Sequence, residues 1–299
     1  MASPPDSKYT YTIHRIPTPS ETTPATLAAL VKKFKQTKLV ALEAEPDGFA
    51  VKYADEVLHP LDIWTQRLAG LSTVLICVAT PIEEAIPSST SLSISNSNST
   101  PESAAIQDPV TQDADTDADT EALLHNEWIG MATIRGPLPY PTYHLPETGQ
   151  PIPADPDQET RWHLCSVYTS SAYRNRGLAR QLCAAAIAHA VAATQMLNQS
   201  QSLSQFQSQS PSGSQSEPKD EAGKKTAARI RLFCNPEKTY LVAMYKRMGF
   251  KEAGRCTLKD AFGANGDGGL VPRDTGSSEA LRYRWERRYG LAMERVCEM

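Results

Sequence analysis

Two stretches of this 299-residue chain carry no apolar period, and they constrain its fold more than any other feature. Residues 83–126, opening EEAIPSSTSLSISNSNSTPES, hold nine Asp or Glu and no Lys or Arg. Residues 196–226 contain the Gln/Ser-rich run NQSQSLSQFQSQSPSGSQSEPKDEAGKK. Neither can bury enough apolar surface to offset the entropy of ordering its backbone, so both are expected to be disordered insertions. The DADTDADT run inside the first lacks the glycine and the closing glutamate of a calcium loop. What remains is sized for one domain with a substantial core, expected over 9–289, with 1–8 and 290–299 as tails.

The remaining blocks interleave strand and helix signals. YTYTIHRI alternates and predicts a strand; SETTPATLAALVKKFKQ predicts a helix, with Thr23 or Ser20 as cap and Pro24 in the first turn. PLDIWTQRLAG predicts a second helix ended by Gly70, and STVLICVAT a buried strand. EWIGMATIRG and RWHLCSVYT flank a proline-rich loop as two further strands, and a long Leu/Ala helix follows. The last block predicts strand RIRLFCN, helix TYLVAMYKRM, strand FKEAGRC and a final strand ALRYRWERR, in which Leu281, Tyr283 and Trp285 alternate with charge. Such interleaving with hairpin-like neighbours predicts an α/β (mixed α+β) fold, a mixed sheet with helices on both faces.

A formal net charge of −4 argues against a non-specific nucleic-acid or membrane-surface binder. No apolar run reaches the ~18 residues of a membrane span, and the N-terminus has no apolar signal region. The six cysteines are scattered without C-x-x-C spacing, as expected of reduced thiols in a cytoplasmic protein, which could also be nuclear. No metal site is expected.

Against that acidic background, AYRNRGLARQL places three arginines around one glycine where a strand gives way to a helix. A helix start exposes unpaired N–H groups and the positive end of the helix dipole, so this corner is a candidate anion site. Gly177 allows a positive φ or close approach of a phosphate. The chain has no G-x-G-x-x-G, and its only Gly-Lys pair, Gly223-Lys224, is not followed by Ser or Thr, so the two common phosphate loops are excluded.

RNRGLA has the form Arg/Gln-x-x-Gly-x-Gly/Ala, and YKRMGF the form Tyr-x-x-x-Gly-Phe. With EPDGFAVKYADEVLHPLDIWTQRL upstream, these stretches resemble the GCN5-related N-acetyltransferase (GNAT) superfamily over about 9–82, 127–195 and 227–289. The resemblance implies a six- or seven-stranded mixed sheet whose fourth and fifth strands splay to admit acetyl-CoA. It implies that Arg174, Asn175, Arg176, Gly177, Leu178, Ala179 and Arg180 hold the cofactor pyrophosphate, and that Val167, Tyr168 and Thr169 hold the pantetheine arm. It also implies an N-acetyltransferase acting on a primary amine by direct attack in a ternary complex.

Acyl transfer from a thioester needs a base for the amine and an acid for the leaving thiolate. The resemblance places Tyr245 at the acid. The resemblance also implies a base at the start of the fourth strand, and counting back from the corner puts His163 at that position, with Glu127 as a second candidate. Lys238 stands where many members carry an asparagine on the cofactor arm; it is expected to contact CoA, an anionic acceptor or solvent. Glu43, Glu45, Asp55 and Glu56 are either a solvated helix face or a lure for a cationic amine. A catalytically silent acyl-CoA sensor with the same fold is the alternative.

Overall fold

The computed structural model describes residues 8–82, 113–146, 149, 152, 155–207 and 225–299. Of the expected insertions and tails, 1–7, 83–112 and 208–224 lie outside the described residues. The chain runs β1 (Tyr9–Arg15), α1 (Pro24–Ala44), α2 (Tyr53–Glu56), α3 (Leu61–Gln66), β2 (Ser72–Pro81), α4 (Asp113–His125) and β3 (Glu127–Arg135). It continues α5 (Tyr140–Tyr143), β4 (Glu159–Thr169), α6 (Leu178–Gln207), β5 (Ala227–Cys234) and α7 (Thr239–Arg247). The last elements are β6 (Lys251–Thr257), α8 (Leu258–Ala264), α9 (Glu279–Arg282) and β7 (Tyr289–Glu298).

Seven strands form one mixed sheet in the order β1-β2-β3-β4-β5-β7-β6. Only β4 and β5 pair in parallel, and a parallel pair requires a crossover, here supplied by α6. Apolar alternation sends Leu75, Trp162, Leu164, Ile230 and Met293 to the face covered by α6 and α7. Val74, Ile76, Val78 and Tyr168 go to the face covered by α1 and α3. Helices on both faces, as expected, thus bury two separate cores.

Three expectations are corrected. The stretch 83–126 does not stay unstructured to its end: it closes in α4, whose Leu123 is fully buried. Lys33 secures this helix by donating to the carbonyls of Leu123, Leu124 and Asn126 at 2.6, 3.0 and 2.7 Å, a cation on the negative end of a helix dipole. The second stretch begins inside α6, which continues to Gln207.

The third correction concerns the C-terminus. Residues 279–287 form α9 and a π-helical turn (Tyr283–Arg287) instead of a strand. Ser278 caps that helix on Leu281 N–H, and Trp285 packs edge-on against Phe262 at 5.0 Å. The final strand is β7, in the expected tail 290–299, and it lies inside the sheet between β5 and β6. Its charges obscure the period: Glu294 is buried against Arg229 and Tyr143, and Arg295 bonds the Met248 carbonyl.

Candidate active site

β4 and β5 stay paired only from Glu159↔Ala227 to His163↔Arg231, after which they part. Beyond that point β4 carries an extra residue. Thr133 faces Cys165 but Met131 faces Tyr168, and Ser166 takes φ 56°. This is a β-bulge, which bends its strand and shifts the side-chain period by one. It explains why Leu164 and Val167, three positions apart, pack on the same core. A cavity of about 710 Å³ fills the opening between the strands. The expected pantetheine residues Val167, Tyr168 and Thr169 all line it.

The corner after β4 closes one side of this cavity. A short turn (Ser171–Tyr173) leads to Asn175 at φ 64° and Gly177 at φ 78°, and α6 starts at Leu178. No atom lies within 4 Å of the position a Gly177 Cβ would take, so backbone torsion alone calls for glycine there. The first N–H groups of α6 have no partner within the helix and point with its dipole toward the opening. Arg174, Asn175, Gly177, Leu178, Ala179 and Arg180 line the cavity. Arg176 does not. It turns onto β1, bonding the Tyr11 hydroxyl at 2.5 Å with its guanidinium 5.7 Å from the Tyr11 and Tyr173 rings. Its side chain is thus directed at β1 rather than adding charge to the cavity.

Helix α7 forms a second wall with Leu241, Met244 and Tyr245. Tyr245 is 6% exposed and packs edge-on against Phe250 at 5.8 Å. Burial raises its hydroxyl well above the ordinary phenol range, so it stays protonated. Lys238 lines the cavity, its Nζ 3.7 Å from Glu45, which also receives Arg174 at 2.7 Å. These cations hold the Glu45 carboxyl below its usual range, Arg174 being the larger influence. Asp55 pairs with Arg284, and buried Glu56 with Arg67. Of the four acids, three are therefore engaged in ion pairs.

Neither expected base reaches the cavity. His163 is buried behind the cavity wall, with Nε2 2.9 Å from Asn265 Nδ2 and its ring against Phe233, which itself lines the cavity. Burial, with Arg231 and Arg135 adding to it, pushes its pKa well below the ordinary histidine value, so it is a weak proton acceptor. Glu127 instead accepts from the Tyr173 hydroxyl at 2.9 Å.

One polar pair escaped the sequence reading. Lys38 is buried, and its Nζ donates to Ser166 Oγ at 2.8 Å while lying 4.4 Å from the Phe49 ring. Its signal lay in α1, where Leu30, Val31, Phe34, Lys38, Ala41 and Leu42 form one buried stripe. A lysine on the apolar stripe of an amphipathic helix is out of place unless the fold provides for it.

Among known families, the acetyltransferase (GNAT) family matches residues 95–201. That segment includes β3, β4, the Gly177 corner and the start of α6. Residues 95–201 belong to the GNAT family. Residues of this matched segment, from Leu164 to Arg180, form one wall of the cavity. Similar solved structures include Arabidopsis thaliana NAA60 in complex with acetyl-CoA, at 11% identity and TM-score 0.41, covering 97% of this chain and 99% of that one. A GNAT acetyltransferase from Streptococcus pneumoniae is 12% identical, TM-score 0.43, covering 96% and 99%. A phosphinothricin acetyltransferase from Sinorhizobium meliloti in complex with AcCoA is 10% identical, TM-score 0.39, covering 97% and 89%. No curated protein matches the chain. Among the described residues no group of three or more His, Cys, Asp or Glu could hold a metal, and no helix is long and apolar enough to cross a membrane.

Proposed function

We propose that the chain transfers an acetyl group from acetyl-CoA to an amine by direct attack in a ternary complex. One observation carries this: the parting of β4 and β5 opens a cavity that runs against a positively charged helix start. A long ligand with an extended arm and a pyrophosphate meets both needs at once. The arm supplies the backbone partners β4 has lost, and the pyrophosphate meets the N–H groups of the Gly177 corner. Arg174 and Arg180 add charge from the corner.

In this cavity the amine nitrogen attacks the thioester carbon, the C–S bond breaks, and the sulfur departs with negative charge. Tyr245 is the donor to that sulfur. Because burial makes a tyrosinate costly, its hydroxyl acts by hydrogen-bonding the developing thiolate, and solvent completes the proton transfer. On the same footing we propose that the chain works in the cytoplasm or the nucleus, a reading supported by six cysteines without C-x-x-C spacing.

The absence of His163 and Glu127 from the cavity lining favours a second reading, a silent acyl-CoA-binding module. Thiol release from acetyl-CoA across a panel of small amines and peptide N-termini separates the two. At least one amine should accelerate release well above hydrolysis, with N-acetylated product by mass spectrometry. CoA binding with no acceleration by any amine would leave the silent module standing.

A further inference from the structure

The acyl-transfer reading leaves the acceptor nitrogen without a base, because the two sequence candidates sit outside the cavity. Ser166 lines the cavity, and it is the extra residue of the bulge, held at φ 56°. A serine seldom adopts that conformation, so the fold imposes it. Behind Ser166, and away from the solvent, stands Lys38 at 2.8 Å. The bulge therefore turns a hydroxyl into the opening and connects it to a buried amine.

The charged and titratable groups facing Lys38 come from three other elements. β4 presents the Cys165 thiol, α2 the Glu56 carboxylate, and the turn after α3 the Arg67 guanidinium. Glu56 is already bonded through both oxygens to Arg67, so it is not free to pair with Lys38. Burial is the largest influence and pushes Lys38 down to about 8, with Cys165 and Glu56 opposing and Arg67 assisting.

We propose that Ser166 and Lys38 form the proton relay that deprotonates the acceptor amine. The attacking nitrogen gives its proton to Ser166 Oγ as the Oγ–H proton passes to the neutral Lys38 Nζ. One N–H and one O–H bond break, one O–H and one N–H bond form. Serine ends unchanged and Lys38 ends as an ammonium, which returns its proton to solvent before the next turnover. The distance of 2.8 Å serves both directions of the bond, Lys38 donating when charged and accepting when neutral.

The relay rests on the acyl-transfer reading, and its test keeps the two apart. Wild type, S166A, S166G, K38R and K38M are compared between pH 6 and 10 by thiol release, using the fastest amine of the panel. In parallel, lysine labelled with carbon-13 at Cε reports the Lys38 titration directly, assigned by its absence from K38R. Lys38 should titrate near 8, and the wild-type rate should show a rise with the same midpoint. Loss of a general base costs ~10²–10⁴-fold, and S166A, S166G and K38M should fall at the low end of that range with unchanged CoA affinity. K38R keeps the charge and the hydrogen bond but cannot become neutral, so it should lose the rise. S166G relieves the positive φ and should melt no lower than wild type while remaining slow, which a structural role for Ser166 would not produce. A Lys38 titration near 10.5, or wild-type rate and pH profile in K38R or S166G, would overturn the relay and leave acyl transfer intact. Absence of turnover with every amine overturns both.

Discussion

Replacing Gly177 by valine separates the corner's role in binding from its role in folding. Its φ of 78° is strained for any residue with a Cβ, yet nothing lies within 4 Å of where that atom would be. The folding cost is therefore torsional alone, about 1–2 kcal/mol for a left-handed residue and somewhat more when β-branched. In a chain of this length that lowers the melting temperature by only a few degrees. The binding cost is larger. If the loop relaxes toward negative φ, the N–H groups around Gly177 turn away from the ligand. Each hydrogen bond to a charged oxygen is worth about 1.5–3 kcal/mol, so losing two weakens CoA by roughly 10²–10⁴-fold. Calorimetric titration with CoA and a thermal melt of the same sample measure both quantities. G70V is the control: Gly70 also holds a positive φ, 68°, with nothing within 4 Å of its Cβ position, and lies outside the cavity lining, so it should lower the melting temperature similarly while CoA affinity stays within about threefold. The same outcome for G177V would refute the assignment of this corner as the anion site.

Tyr245→Phe keeps the ring contact with Phe250, so its melting temperature and CoA affinity should match wild type while kcat falls by about 10²-fold; unchanged turnover in a kinetic assay would remove the hydroxyl from the reaction. Leu123→Ala empties a fully buried site and should cost about 2–5 kcal/mol in a denaturant titration, whereas a change under ~1 kcal/mol would show that α4 is not docked. Glu21 is held at about 2 against an ordinary 4.5, chiefly by its hydrogen bond from Arg15. A depressed carboxyl stabilises the fold above its ordinary value and loses that contribution as pH falls through the folded one. R15Q should therefore move the Glu21 titration upward by NMR, with a small effect on stability because the pair is partly exposed.

How much of this was legible in the residues depended on whether one strand or helix sufficed to reveal it. Strands β1 to β6 and the Gly177 corner follow from local period and turn chemistry, and Thr23 caps α1 as expected. β7 was missed because its Glu294 and Arg295 look exposed until Arg229 and the Met248 carbonyl are brought alongside. The alternating Leu281, Tyr283 and Trp285 misled in the opposite direction, since a helix cap at Ser278 overrode their spacing. His163 was counted correctly onto β4, but Trp162 and Leu164 already point to one core, so strand alternation sends His163 the other way. The bulge at Ser166 was beyond reach. It exists only relative to Met131 and Thr133 on the neighbouring strand, which no local pattern records.

The brevity of the β4–β5 pairing has a mechanical consequence. Five residue pairs form the whole hydrogen-bonded seam between a four-stranded half-sheet and a three-stranded one. The seam is clamped at its closed end, where Arg229 binds Glu159 on β4 and Glu294 on β7. The halves thus hang together like the boards of a book bound along part of its spine. The open part has two inner edges with unsatisfied backbone groups, shielded from other chains because they face each other across the cavity. A ligand arm lying there stitches the boards together. Amide exchange at Val167–Thr169 and Leu232–Cys234 should slow when CoA binds, and the paired seam itself should open less often.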